Sequence, residues 1–185
     1  MKKLTFVIIV VISALFVSCD QLEEITEVGL NTILRADMPV ISLKSNEVYN
    51  FTSGGTFALT DNQDIEEYID NIRDIIANDG SLIQFNNAQE GNKIMTLHMK
   101  YGVISDPGKE PQMKSIFSFS GHLQAKDGAI KYLNDSWSHI LIKGLVADKD
   151  KVFAIKLEGT ANYNVNVPIK LEVPVRIDAT PLSKN

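Results

Sequence analysis

The chain has one cysteine, one tryptophan and three histidines in 185 residues. A lone cysteine, Cys19, excludes an internal disulfide, and it excludes the paired thiolates of most structural zinc sites. The fold must therefore be held by packing. His98, His122 and His139 form neither a His-x-His nor a His-Glu-x-x-His pattern, so no metal site is expected. No glycine-rich phosphate loop follows a strand candidate, and no cofactor is expected. Ser118 and Ser120 lack the Gly-x-Ser-x-Gly context of a nucleophile elbow. Basic residues are also scarce. There are 18 against 23 acidic ones, for a net charge of −5. Phosphate affinity comes mainly from Lys and Arg, so nucleic acid is an unsuitable partner.

What the chain does have is a distinctive start. Lys2 and Lys3 precede an apolar stretch over 4–17 that is interrupted only by Thr5 and Ser13. It is shorter than the roughly 20 residues needed to span a bilayer. A cationic start, an apolar core and a small residue before a cut describe a secretory signal. The run Phe16-Val17-Ser18-Cys19 resembles the lipobox of bacterial lipoproteins, with Phe16 where that family usually carries Leu. The resemblance implies cleavage before Cys19, a diacylglycerol on its thiol and an acylated new amino terminus. Each buried methylene would contribute about 0.8 kcal/mol to membrane retention. Asp20-Gln21-Leu22-Glu23-Glu24 then resembles the export signal of Bacteroidota lipoproteins, which implies the outer membrane and its cell-surface side. The periplasmic face is the alternative. The expected organisation is a signal peptide over 1–18, a lipidated acidic tether over 19–27 and one domain over 28–185. Loss of Lys2 and Lys3 leaves 16 basic residues against the 23 acidic ones.

From residue 28 onward the chain reads as strands. Val28, Leu30, Thr32 and Leu34 share one parity, as do Leu97, Met99, Tyr101 and Val103. Alternation of this kind marks half-buried strands. Phe153, Ile155 and Leu157 precede the most regular segment, in which Val167, Ile169, Leu171, Val173, Val175 and Ile177 are all apolar. These two segments predict a long hairpin turning near 164–166. Pro168 and Pro174 have equal parity, so both missing N–H groups fall on one lateral side. That pattern predicts an edge strand whose proline side is unpaired. Ile65, Tyr68, Ile69, Ile72, Ile75 and Ile76 form an apolar stripe at helical spacing and predict a helix over 62–77. Trp137 to Val146 reads as a strand centred on Ile140-Leu141-Ile142. The sum is a mainly β chain: a two-sheet antiparallel sandwich, immunoglobulin-like, with one amphipathic crossover helix near 62–77. A barrel is the alternative.

Few side chains point to chemistry. Trp137, Tyr163 and Asn164 are the candidate ligand contacts, because aromatic faces stack on sugars and asparagine amides bind hydroxyls. His98 and His122 fall on the polar faces of two strands expected to form a hairpin. The functional expectation is a lipid-anchored, non-enzymatic binding or accessory module of the cell envelope, with a glycan, lipid or protein as partner. The alternatives are a carrier of an apolar ligand between the sheets, lined by Met99, Phe117, Phe119 and Ile72, and a glycan-binding or hydrolytic protein.

Overall fold

The computed structural model describes residues 28–66, 68–105, 108–147 and 152–180; Cys19, the signal segment and the tether lie outside them. The strands are β1 (Val28–Met38), β2 (Val40–Ser45), β3 (Val48–Phe57), β4 (Ile72–Ala77), β5 (Leu82–Asn86), β6 (Lys93–Ile104), β7 (Lys114–Gln124), β8 (Ala129–Leu133), β9 (Val152–Ala161) and β10 (Ile169–Ala179). Two α-helical segments interrupt them: a single turn, α1 (Gln63–Glu66), and α2 (Ser136–Ala147).

All the strand pairs are antiparallel and form two sheets. The first has the order β1-β10-β5-β8, with β4 also bonded to β10, and the second has the order β2-β3-β9-β6-β7. The two-sheet sandwich predicted from alternation is the observed architecture. Its core is made by residues of one parity from each sheet. Leu171, Val173 and Val175 of the first sheet and Phe153, Ile155 and Leu157 of the second are all buried. Each such side chain contributes about 1.5–3 kcal/mol by leaving water. Phe51 of β3 meets Phe85 of β5 edge to face across the sandwich, with ring centroids 5.6 Å apart.

Both lateral sides are closed by sequence-encoded devices. On one side, β1 passes from the first sheet into β2 of the second with only Pro39 between them. Buried Ser53 fixes this corner, its Oγ lying 3.1 Å from the Met38 carbonyl and 2.8 Å from that of Pro39. On the other side, Tyr132 of β8 stacks on Phe117 of β7 at 5.3 Å and lies 5.4 Å from Phe119.

Four local expectations are corrected. The stripe over 62–77 is not one helix: α1 and a short 3-10 turn (Ile69–Asn71) give way to strand β4. The β4 register slips between Ile72↔Ala179 and Asp74↔Asp178. The extra residue is a β-bulge, which lets Ile72 and Ile75 both face inward at a helix-like spacing of three. The longer helix is α2, in the segment read as a strand. Trp137, Leu141 and Leu145 are its buried stripe. Asn134 starts it, its Oδ1 accepting the Ser136 amide at 2.9 Å, and Ser136 opens the helix without a β-branched neighbour on the preceding turn.

The third correction concerns β10. It is central, because β1 runs along one side while β5 and β4 share the other. Its partner changes between Glu172 and Val175, and Pro174 sits at that break, its carbonyl accepting the Asn78 amide at 2.9 Å. The missing proline donor therefore costs no ladder bond, and the strand needs no free edge. Nor do β9 and β10 form a hairpin, since they belong to opposite sheets.

Candidate functional site

The topology gives the sandwich two distinct ends. Val28 lies opposite Ala179, and Ile72 also pairs with Ala179, so β1 begins at the end where β10 finishes. The start of β10 lies roughly 33 Å away, at about 3.3 Å per residue. Four connections gather there. They are the β2–β3 turn after Ser45, the loops over 87–92 and 125–128, and the crossover over 162–168. Their flanking residues pair as Ser45↔Val48, Asn86↔Ala129, Lys93↔Gln124 and Phe85↔Ile169.

This loop pole is stitched together. Asn162 accepts the Lys93 amide at 2.7 Å and donates Nδ2 to the Gly91 carbonyl at 2.9 Å. The Ala125 amide reaches the Asn92 carbonyl at 3.0 Å, and the Ala88 amide reaches that of Gly128 at 3.1 Å. Asn46, Asn87 and Asp127 take φ of 57°, 56° and 53°, a region that asparagine and aspartate tolerate better than other side chains. Loops held this firmly on a sheet scaffold are suited to binding. A recess of about 330 Å³ lies among them, walled by Glu90, Lys126 and Asp127 over a floor of Ala88 and Ala125.

Of the expected ligand contacts, Asn164 is exposed at this pole and Tyr163 is half-buried beside it. Burial pushes the Tyr163 hydroxyl up to about 12, and it has no hydrogen-bond partner among the described residues. Trp137 is elsewhere. It is fully buried on α2, with no partner for its indole N–H among the described residues, and presents no ring face to solvent.

The outer face of the second sheet brings together a row that sequence separation conceals. Glu158, His98 and Ser118 are cross-strand neighbours, and His98 Nδ1 lies 2.9 Å from Ser118 Oγ. The residue types are those of a catalytic triad, but the geometry is not. Glu158 Oε2 is bonded to Lys100 Nζ at 2.8 Å and Oε1 to Lys156 Nζ at 2.6 Å. These two lysines hold its carboxyl down to about 2, so it orients lysines rather than the imidazole. His98 is exposed to solvent on this sheet face. His122 lies four residues beyond Ser118 on β7. Among the described residues no group of three or more His, Cys, Asp or Glu could hold a metal ion.

Among the described residues, many apolar side chains of both sheets pack between them. The void bounded by Leu34, Leu141, Ile155 and Val173 is about 10 Å³, close to the volume that admits a single water. Phe117 and Phe119 are engaged with Tyr132, and Ile72 lies in the opposite sheet from Met99. Among the described residues no helix is long and apolar enough to cross a membrane.

No protein-family model matches the chain, and no curated protein does. Among solved structures, a chain of Desmodium yellow mottle tymovirus is similar over 86% of this chain and 90% of that one, at 5% identity and a TM-score of 0.33. A likeness this slight carries no functional argument.

Proposed function

We propose that the chain is a non-enzymatic binding or accessory module, held at the cell envelope by lipid on Cys19 and presenting its loop pole to a partner. One observation carries this reading. The first described strand residue, Val28, is nine residues after Cys19 in sequence and lies at the end opposite the loop pole. An anchor at Cys19 therefore leaves Asn164 and the recess beside Glu90 at the far end, clear of the bilayer. The acidic segment after Cys19 supports an outer-membrane location. The occupied Glu158 carboxylate and the open face around His98 and Ser118 favour binding over catalysis.

Cell fractionation in the native host tests the anchor. The unaltered chain is expected in the membrane fraction, cut before Cys19. Cys19→Ala is expected either released or uncut. A Cys19→Ala chain that is still processed and still membrane-bound would show that the lipid reading is wrong.

A further inference from the structure

On the outer face of the first sheet, the charges of β10 are ordered about a centre. Ile169, Leu171, Val173, Val175 and Ile177 are buried, so Lys170, Glu172, Pro174, Arg176 and Asp178 lie on the outer side. Counted from Pro174, Glu172 and Arg176 are opposite charges at equal distance, and so are Lys170 and Asp178. The neighbouring strands add an apolar middle. Ile33 of β1 is paired with Pro174, Leu82 of β5 with Glu172 and Ile76 of β4 with Arg176. Ile33, Leu82 and Pro174 are half-buried, and Ile76 is 44% exposed. An apolar middle with charged ends has the make-up of a contact surface.

The charges also limit what this surface can receive. On β1 and β10, Arg35, Lys170 and Arg176 are balanced by Asp37, Glu172 and Asp178. Glu172 already lies 3.4 Å from Arg35, and Asp178 lies 2.8 Å from Arg176. A partner of one uniform sign therefore meets as much repulsion as attraction. A second copy turned end for end is different. Its Arg176 comes over Glu172 and its Asp178 over Lys170, and the same two contacts recur with the copies exchanged. The order of the charges thus selects the chain itself.

We infer that this face binds a second copy of the chain, face to face and antiparallel, about a two-fold axis that crosses β10 at Pro174. At the axis Ile33 and Pro174 meet their own counterparts, and Leu82 meets Ile76 of the other copy. The same patch serves both copies, so the contact closes at a dimer. Residues 170–178 across three strands span about 26 Å by about 14 Å. Two such faces bury roughly 800 Å², which makes the pairing transient. The Val28 ends of the two copies point in opposite directions. With the anchor proposed at Cys19, on which this last consequence rests, the contact joins chains on facing membranes rather than neighbours on one.

Disulfide trapping on Cys19→Ala chains, where an introduced cysteine is the only thiol, tests the geometry independently of the anchor. Ile33→Cys meets itself at the axis and is expected to give a covalent dimer at submillimolar concentration. Asn31→Cys and Arg35→Cys lie on either side of it, paired with Arg176 and Glu172. Each alone should trap poorly, whereas a mixture of the two should trap 31 to 35. In the Ile33→Cys background, Glu172→Lys and Arg176→Glu each set like charges across the contact and should each lower trapping about tenfold. Mixed in equal amounts they should restore it, because every facing pair is again opposite; a defect in folding would not recover on mixing. Three results would overturn the inference: Ile33→Cys gives no dimer, Arg35→Cys alone traps as well as Ile33→Cys, or the mixed charge variants show no recovery. On vesicles, lipidated Ile33→Cys chains should trap between two differently tagged vesicle populations. Trapping confined to single vesicles would overturn the end-for-end arrangement, whereas failure of the anchor shows separately, as chains missing from the vesicles.

Discussion

Pro174 accepts the Asn78 amide at 2.9 Å, at the point along β10 where its neighbour changes from β5 to β4. A proline is tolerated in a central strand here because the partner side is already interrupted. Pro174→Ala should therefore cost no more than about 1 kcal/mol, mainly through added freedom in the unfolded chain. Val173→Pro removes an amide directed at β1 and should cost about 3 kcal/mol or more. Urea denaturation of both variants checks this, and equal losses would contradict it.

Glycines on the second sheet should respond in opposite directions. A Cβ at Gly159 would run into the Thr96 carbonyl and come within 2.6 Å of the Phe51 ring. Gly159→Ala should thus destabilise by at least the upper part of the range of about 1–3 kcal/mol seen for overpacking. At Gly54 the nearest atom would be the Ile155 carbonyl at 3.5 Å, an ordinary contact. Gly54→Ala should stabilise by about 0.5–1 kcal/mol, since glycine weakens a strand. Thermal melts of the two variants decide it.

The β1–β2 corner depends on one hydroxyl. Ser53 Oγ lies within bonding distance of both the Met38 and Pro39 carbonyls, and the side chain is 1% exposed. Ser53→Ala should cost about 1–1.5 kcal/mol. Faster amide exchange should follow in β2, and an unchanged exchange pattern would argue against the corner's dependence on this bond.

Three groups shape the pH response: Glu158 at the acid end, and Tyr163 with Tyr132, whose hydroxyl is also pushed up by burial, at the alkaline end. Glu158 is held near 2, below its ordinary 4.5, first by its bond to Lys100 and then by that to Lys156. Its contribution is therefore complete above about 4.5 and disappears as pH falls toward 2. The partners are well exposed, so it amounts to under about 1 kcal/mol. Tyr163 is raised from 10.0 to about 12 by burial. Its contribution is complete below 10 and is lost as pH rises toward 12. Stability measured against pH should fall at both ends, and Glu158→Gln should flatten the acid side alone.

The sheet content was legible because alternation is a local signal. Val173 and Leu97 face inward as their parity requires. The two helix assignments failed for identifiable reasons. A bulge in β4 mimics helical spacing at Ile72 and Ile75, whereas the β-branched centre Ile140-Leu141-Ile142 masks a helical stripe at Trp137, Leu141 and Leu145. The Asn134-Asp135-Ser136 start was the overlooked signal: Asp135 Oδ1 accepts the Gly80 and Ser81 amides at 2.9 and 2.8 Å, tying the helix start to the β4–β5 turn. Which strands share a sheet was not legible. The β9–β10 crossover and the Glu158–His98–Ser118 row depend on pairings between residues distant in sequence, and no local pattern encodes them.

The proposed arrangement of anchor and loop pole can be measured directly. With Cys19 occupied by lipid, an introduced cysteine becomes the sole labelling site. Asn31→Cys places a dye near the start of β1, and Asn164→Cys places one at the loop pole. Energy transfer from each dye to acceptors on the vesicle surface should be stronger at 31 than at 164, and absent from both when Cys19 is replaced by Ala. Equal transfer from the two positions, or stronger transfer from 164, would contradict the account.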